Sequence, residues 1–274
     1  MISKRLTKNL ILKNGIWFSK ERSTVSYPVE GSSICRKIED FSYWFKHRNR
    51  CIISIIKSFS NNETFVDVGG GNGIVAHSLQ MVGISSILLE PNLTGIKNAK
   101  KRGLKNLICS SLEDGKFAKE SVGAAGLFDV IEHIDNDLEF LKKVNVLLKK
   151  GGKIYLTAPA FQFLWSDEDK FAGHFRRYTV NNLKDKLEAS GFKLIYSTYY
   201  FSILVIPILL TRSIPSLFRL RQKENGVGYE KEHKLKPDLI GNLIRKTLEW
   251  EIERIGKLKP IPFGSSCLIV AQKD

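Results

Sequence analysis

A glycine-rich segment and an acid about 20 residues after it have the residue types and spacing of a nucleotide site. The segment reads Asp67-Val68-Gly69-Gly70-Gly71-Asn72-Gly73 and follows an apolar run, and the next apolar run ends at Glu90. A glycine turn lets the backbone approach a ligand where a Cβ atom would clash, and the helix after it presents unpaired N–H groups. A carboxylate at the end of the second run can accept both hydroxyls of a ribose. We therefore predict a nucleoside site formed by Asp67, Gly69, Gly70, Gly71, Gly73 and Glu90.

The glycine spacing separates two classes of nucleotide ligand. A dinucleotide fingerprint needs G-x-G-x-x-G, and counted from Gly69 its third glycine would fall at Ile74. Asp67 directly before the turn would repel a pyrophosphate, whereas it can receive the ammonium group of a methionine moiety. The pattern favours a sulfonium nucleoside over a dinucleotide, and a turn without any ligand is the remaining alternative.

Two histidines, His133 and His174, lie after later apolar runs and could act on an acceptor. Imidazole titrates near neutral pH, so either side chain could remove the proton of an acceptor hydroxyl. The alternative for His133 is a purely structural hydrogen bond at the start of a helix.

Arg176, Arg177 and Tyr178 follow His174 within a few positions. Adjacent arginines suit an anionic acceptor such as a phosphate or carboxylate, so we predict that these three residues bind the substrate. The alternative is that the acids at positions 167–169 pin this loop through ion pairs.

Short apolar runs alternate with helical patterns from residue 64 onward, which predicts βαβ units and a parallel sheet. The predicted strands are Thr64–Val68, Ser85–Glu90, Asn106–Cys109, Ala124–Phe128, Lys153–Thr157, Phe192–Thr198 and Ser266–Gln272. The predicted helices between them are Ile74–Gln80, Leu93–Lys101, Leu138–Lys149 and Val180–Ser190. The fold class is an α/β, doubly wound, mostly parallel seven-stranded sheet of Rossmann-like type.

Four regions follow from these patterns. We expect an N-terminal helical extension at 1–60, a nucleotide-binding core at 61–200, a helical insertion or lid at 201–259, and the final strand of the core sheet at 260–274.

The chain has 43 Lys and Arg against 28 Asp and Glu, a formal net charge of +15 over 274 residues. Such an excess attracts anionic partners, namely nucleic acid, a membrane surface or a phosphorylated substrate, unless the lysines merely solvate the surface. The cysteines lie far apart, which supports neither a zinc site nor a disulfide framework. We therefore expect no metal and a cytoplasmic protein, with a basic N-terminus that is not a signal peptide. The four cysteines are Cys35, Cys51, Cys109 and Cys267.

Several segments resemble class I S-adenosylmethionine-dependent methyltransferases, among them 43–50, 67–73, 109–113, 128–134, 148–159 and 161–178. The glycine turn resembles the first motif of that family, and Glu90 matches its ribose-binding acid. Residues 128–134 resemble the x-E-H-φ signature of the branch that includes ubiquinone-biosynthesis O-methyltransferases. Residues 161–178 resemble a subfamily often associated with surface glycan or lipid modification. The resemblance covers about 38–198 and the closing strand at 262–271.

The resemblance implies S-adenosylmethionine as cofactor, S-adenosylhomocysteine as product, and further cofactor residues. Arg48 would reach the cofactor carboxylate, Ser111 and Leu112 would lie near the adenine, and Phe128 would give a backbone contact. His133 would lie near the transferable methyl group. The implied activity is methyl transfer, with oxygen favoured, to a small-molecule, glycan or lipid-linked acceptor.

An uncharged stretch of 18 residues, Leu194–Thr211, precedes the insertion. Its first residues belong to the sixth strand and the remainder contains Pro207, so the stretch is too short to span a bilayer. It could form a lid or core helix, a dimer interface, or a peripheral membrane contact through 199–223 at the inner membrane face. The sequence leaves the oligomeric state open.

Two other functions stay open at this point. One is an RNA methyltransferase, suggested by the charge, although nucleic acid is disfavoured because no base-flipping N-P-P-Tyr motif or RNA module is present. The other is a non-catalytic cofactor-binding or membrane-associated protein of the same fold.

Overall fold

The computed structural model describes residues 6–21, 31–60, 63–219 and 233–274. Its strands are β1 (Leu10–Lys13), β2 (Ile16–Ser19), β3 (Phe65–Val68), β4 (Ser86–Leu89), β5 (Leu107–Cys109), β6 (Val122–Phe128), β7 (Leu148–Pro159), β8 (Phe192–Tyr200) and β9 (Ser266–Lys273). Its helices are α1 (Gly31–Ile38), α2 (Tyr43–Phe59), α3 (Ile74–Met81), α4 (Leu93–Lys101), α5 (Asp137–Leu147), α6 (Asp167–Ala172), α7 (Val180–Glu188), α8 (Val205–Ile208), α9 (Ile214–Leu217) and α10 (Leu239–Gly256).

The described strands form one sheet in the order β1-β2-β5-β4-β3-β6-β7-β9-β8. The pairs from β2 through β7 are parallel, while β9 runs antiparallel to both β7 and β8. The predicted doubly wound, mostly parallel α/β fold is confirmed. One boundary differs, because the helix predicted to reach Lys149 ends at Leu147 and the chain enters β7 at once.

Residues 10–19 form a β-hairpin, so the prediction of a helical extension is wrong for this segment. The hairpin adds β2 in parallel to β5 and so extends the sheet beyond the seven predicted strands. Its cause is the Asn14-Gly15 pair, whose φ angles of 50° and 73° provide the two left-handed residues that a type I′ turn requires. The rest of the described extension is helical in α1 and α2, and the domain boundaries at 60, 200 and 259 stay a prediction.

Buried apolar residues cover both faces of the sheet. Alternate β3 side chains point to opposite faces, so Phe65 joins a cluster with α2, α3 and α10, whereas Val66 joins a cluster with α5 and α7. The two helical layers fix the sheet between them. The carboxyl ends of β3, β4, β5 and β6 therefore meet at one edge, where ligands bind in open α/β sheets.

The end of the predicted insertion packs on the core through α10. Glu251 of α10 is buried and lies 2.7 Å from His47 Nε2 of α2, and it also accepts from the amides of Phe201 and Ser202. In the part of the chain that the structure describes, no helix has the length and apolarity needed to cross a membrane.

Candidate cofactor and acceptor site

The turn between β3 and α3 leaves room above its backbone. Gly71 has a φ of 56°, and a Cβ atom placed there would meet nothing within 4 Å. At Gly70 a Cβ atom would instead overlap the Asp67 carboxylate and the side chain of Leu88. Gly70 is thus required by the packing below the turn, whereas Gly71 offers open backbone to a ligand.

Asp67, the last acid before the turn, carries a buried carboxylate that lacks a matching donor. Neither oxygen makes a hydrogen bond within normal geometry, although the Arg48 guanidinium and the Ala76 amide are near enough to stabilise its charge. Burial dominates and raises the pKa of Asp67 to about 7. An unpaired buried carboxylate is costly, so this position suits a cationic ligand group such as an ammonium.

Glu90 points towards the glycine turn. Its Oε2 accepts from the Gly71 amide at 2.9 Å, and its Oε1 accepts from the Asn92 amide at 2.7 Å. Burial raises the pKa of Glu90 against the lowering effect of these two amides. The carboxylate thus lies beside the open backbone of Gly71, as the predicted ribose site requires.

Arg48 reaches the end of β6 from α2. Its Nη2 donates to the Phe128 carbonyl at 3.0 Å, and its Nε lies 2.6 Å from Oδ2 of Asp129. Burial alone would lower the pKa of Arg48, but the charge of Asp129, with smaller contributions that include Asp67, raises it. The three predicted residues Arg48, Asp67 and Phe128 are therefore close together.

Asp129, the partner of Arg48, is a further candidate residue that was not among the predicted site residues. It has a φ of 57°, a conformation uncommon outside glycine, and it accepts from Thr157 Oγ1 at 3.0 Å. Such strain is concentrated at functional sites. Its position directly after Phe128 at the end of a central strand was the available signal.

The predicted adenine side follows β5. Ser111 Oγ accepts from the Asp114 amide at 3.0 Å, and Leu112 is buried in the core. Thr7 and Asn9, before the hairpin, donate to the carbonyls of Gly115 and Asp114 respectively, each at 2.6 Å. Contact of Ser111 and Leu112 with an adenine stays a prediction.

His133 and His174 meet although 40 residues separate them in sequence. Their ring centroids are 4.7 Å apart in an edge-to-face arrangement. Burial, and then the neighbouring His174, lowers the pKa of His133 to about 4, so its ring is neutral at physiological pH. The Phe175 amide donates to the Glu132 carbonyl at 2.8 Å, which ties the two histidine-bearing loops together.

Asp169 orients His174. One oxygen of Asp169 lies 2.8 Å from His174 Nδ1, and Arg177 donates to both oxygens at 2.9 Å. Burial alone would raise the pKa of Asp169, but the bonds from His174 and Arg177 outweigh it and lower the pKa to about 2. Because ionised Asp169 can only accept, Nδ1 of His174 must carry a proton and Nε2 is left for other partners.

The three residues predicted to bind substrate are engaged by acids of the chain. Arg177 pairs with Asp169 as described, and Arg176 donates to Asp137 at 2.9 Å. Tyr178 is buried and donates to the same Asp137 at 2.8 Å. Arg177 is thus held by an acid of the segment 167–169, as the alternative states, whereas Arg176 and Tyr178 are held by Asp137, which lies outside that segment. Direct substrate contacts of the three side chains stay a prediction.

Glu132, His133 and His174 could offer one metal-ligating atom each, and these atoms lie within 4.8 Å of one another. A tetrahedral zinc site with bonds near 2.1 Å has its ligand atoms about 3.4 Å apart. The absence of a metal at this group stays a prediction.

Alanine at Asp169 should lower the free energy of unfolding by about 3–5 kcal/mol, because it leaves the Arg177 guanidinium, which is only 10% exposed, without its counter-ion. Chemical denaturation measures this. Asp135→Ala removes an exposed partner of Arg176 and should cost at most about 1 kcal/mol. Equal losses of unfolding free energy in the two variants would contradict the pairing of Asp169 with Arg177.

The stability that Asp169 contributes is present above pH ~4 and is lost as the pH falls towards 2, because folding lowers the pKa of Asp169.

A family described as Methyltransferase domain matches residues 35–197, which is more than half of the chain. The chain belongs to this methyltransferase family. It is an S-adenosylmethionine-dependent methyltransferase, and binding of that cofactor is typical of the family. The sequence-based identification of the class is thereby confirmed, while the subfamily is not resolved. No curated protein matches the chain significantly.

Several solved structures share the fold of this methyltransferase. One is an S-adenosylmethionine-dependent, possible histamine N-methyltransferase of Thermotoga maritima, with 18% identity, a TM-score of 0.52, and 88% of this chain and 99% of that chain covered. Another is a Haloferax volcanii methyltransferase in complex with the Trm112 activator, with 13% identity and a TM-score of 0.58. The match covers 91% of this chain and 99% of that chain. A third is a phosphoethanolamine N-methyltransferase of Haemonchus contortus in complex with phosphomonomethylethanolamine and S-adenosylhomocysteine, with 14% identity and a TM-score of 0.55. The match covers 90% of this chain and 58% of that chain. These likenesses concern the fold.

Proposed function

We propose that this methyltransferase transfers the methyl group to an oxygen of a small-molecule, glycan or lipid-linked acceptor. The observation that carries the proposal is the Asp169–His174 pair, which leaves Nε2 of His174 as a proton acceptor on a ring that contacts His133. A hydroxyl must lose its proton during methylation, so a positioned imidazole is the group that oxygen acceptors need.

The proposed cofactor residues form two groups, one for each end of S-adenosylmethionine. Asp67 receives the ammonium group, and Glu90 accepts the ribose hydroxyls beside the open backbone of Gly71. Arg48 holds the Phe128 carbonyl and Asp129 in place, and it lies close enough to Asp67 to reach a cofactor carboxylate. When bound, S-adenosylmethionine supplies an electrophilic methyl group on a sulfonium centre.

The chain's residues then act on the acceptor. When an acceptor hydroxyl attacks the methyl group that the bound cofactor would supply, Nε2 of His174 would take up the hydroxyl proton. Asp169 stabilises the imidazolium through Nδ1, as the carboxylate of a catalytic triad does. His133, neutral because of its low pKa, adds no positive charge next to the imidazolium.

The tautomer of His174 can be observed without knowing the acceptor. We expect ¹⁵N NMR of the resting protein near neutral pH to show Nδ1 protonated, because the ionised Asp169 accepts from it. Nε2 protonation of the neutral ring would contradict the proposed base.

Methyl transfer from labelled S-adenosylmethionine into fractionated lipid, glycan, small-molecule and RNA extracts tests the function. We expect label in one of the first three fractions, and a loss of at least about 100-fold in His174→Gln. His77→Gln, in α3, is the matched control and should keep the wild-type rate. Label only in RNA would favour the RNA alternative, and cofactor binding without turnover in any fraction would favour the non-catalytic one. Full activity of His174→Gln would refute the role of His174 as the general base.

A further inference from the structure

Residues 205–218, called the exposed helix below, turn apolar side chains to the solvent. The segment consists of α8, a π-helical stretch Leu209–Ser213, and α9. Val205 and Ser213, on its inner side, are buried. Its outer side carries five large apolar side chains that are 37–78% exposed: Ile206, Leu210, Ile214, Leu217 and Phe218. The apolar stretch therefore does not act as a buried core helix on this side.

The first half of α10 shows the same feature. Leu239, Ile240 and Leu243 are 58–87% exposed, whereas Leu248 and Ile255 in the second half are buried. Both helices lie on the same face of the sheet, because Ile208 of the exposed helix and Ile244 of α10 pack against the same buried cluster. The described chain thus has two apolar, solvent-facing helical segments on one face. Scattered apolar residues are ordinary on protein surfaces, but grouped ones mark interaction sites.

Positive charge accompanies these apolar side chains. The stretches 201–219 and 233–248 contain a single acid, Asp238. They contain six cations: Arg212, Arg219, Lys234, Lys236, Arg245 and Lys246. Apolar side chains with adjacent cations complement the headgroup and acyl boundary of an anionic bilayer, where each cation contributes about 1 kcal/mol. Two copies of this face would repel each other, and nucleic acid would leave the apolar side chains without a partner.

We propose that the exposed helix and the first half of α10 form a docking surface for an anionic phospholipid bilayer. The surface is connected to the acceptor side, because Ser216 Oγ accepts from the Asp167 amide at 3.0 Å where α6 begins, and α6 carries Asp169. Docking would hold the His174 loop near the lipid headgroups. The docking itself does not depend on which acceptor is methylated.

Co-sedimentation with vesicles tests the proposal. We expect the full chain to bind vesicles of phosphatidylcholine with about 30% phosphatidylglycerol at least tenfold more tightly than pure phosphatidylcholine vesicles, and less tightly at high salt. The double variant Leu217→Glu, Phe218→Glu should lose at least tenfold of this affinity. Met81→Glu, at an exposed apolar position at the end of α3, is the matched control and should bind as the wild type does.

The controls separate docking from folding and from cofactor binding. Because Leu217 and Phe218 are exposed, the double variant should keep the wild-type melting temperature and its affinity for S-adenosylhomocysteine. No binding to anionic vesicles, equal binding to neutral ones, or unchanged binding by the double variant would overturn the proposal. A concentration-dependent doubling of mass in light scattering, abolished by the same double variant, would overturn it in favour of self-association.

Discussion

Replacing Glu90 with glutamine should weaken the binding of S-adenosylhomocysteine by about 100-fold or more, measured by calorimetry. The carboxylate already accepts from the Gly71 and Asn92 amides, and in the proposed complex it also accepts the two ribose hydroxyls. Each hydrogen bond to a charged acceptor is worth about 1.5–3 kcal/mol. A glutamine amide would present an N–H group to donors and would lose at least one of the ribose contacts.

The control for this experiment is Glu249→Gln, which neutralises an exposed acid on α10 that pairs with Arg50. Its affinity should equal that of the wild type. Since the Glu90 variant could also loosen the turn, its melting temperature without ligand is measured alongside. Unchanged affinity in a folded Glu90→Gln protein would show that the ribose is bound elsewhere.

Replacing Asp67 with asparagine should have opposite effects on cofactor binding and on the stability of the ligand-free protein. Binding should weaken by at least about 30-fold, because truncating one partner of a buried charge pair costs about 2–5 kcal/mol. The ligand-free variant should nevertheless melt a few degrees higher at pH 8. The reason is that the wild type must keep Asp67 ionised and buried above pH 7 although neither of its oxygens accepts a hydrogen bond of normal geometry.

The pH dependence follows from the sign of the Asp67 shift. Folding raises the pKa of Asp67 to about 7, so the folded chain holds this proton more tightly and stability falls as the pH rises from about 4 to 7. Binding of the ammonium group needs ionised Asp67. Below pH 7, the affinity of the wild type for S-adenosylhomocysteine should therefore rise about tenfold for each unit by which the pH is increased. In Asp67→Asn, the part of this pH dependence of the affinity that is due to Asp67 should vanish. A variant with the wild-type slope, or with lower stability at pH 8, would contradict this assignment.

The sequence was sufficient for the parts of the site that one segment or two adjacent strands provide. Asp67, Gly71 and Glu90 lie at the ends of neighbouring parallel strands, so their proximity follows from the strand pattern alone. The hairpin was also predictable from the sequence, because Asn14-Gly15 between apolar runs is a strong indication of a two-residue turn.

The acceptor side was less predictable because it depends on contacts between distant segments. The adjacency of Arg176 and Arg177 suggested an anionic ligand, but Asp137 and Asp169 reach them through folding of the loop. Sequence could not decide which of the available acids would do so.

The insertion illustrates the same difficulty. The apolar composition of 201–218 was compatible with a lid, an interface or a membrane contact. Only the packing shows that Leu217 and Phe218 face outward while Val205 faces inward.

A crystal structure of the protein with S-adenosylhomocysteine tests the central claim most directly, which is that the turn after β3 and the acid after β4 hold the two ends of the cofactor. We expect both ribose hydroxyls within about 3.2 Å of the Glu90 carboxylate and the ammonium group beside Asp67. A ligand bound away from Gly71, or a Glu90 carboxylate turned away from the ribose, would contradict the account.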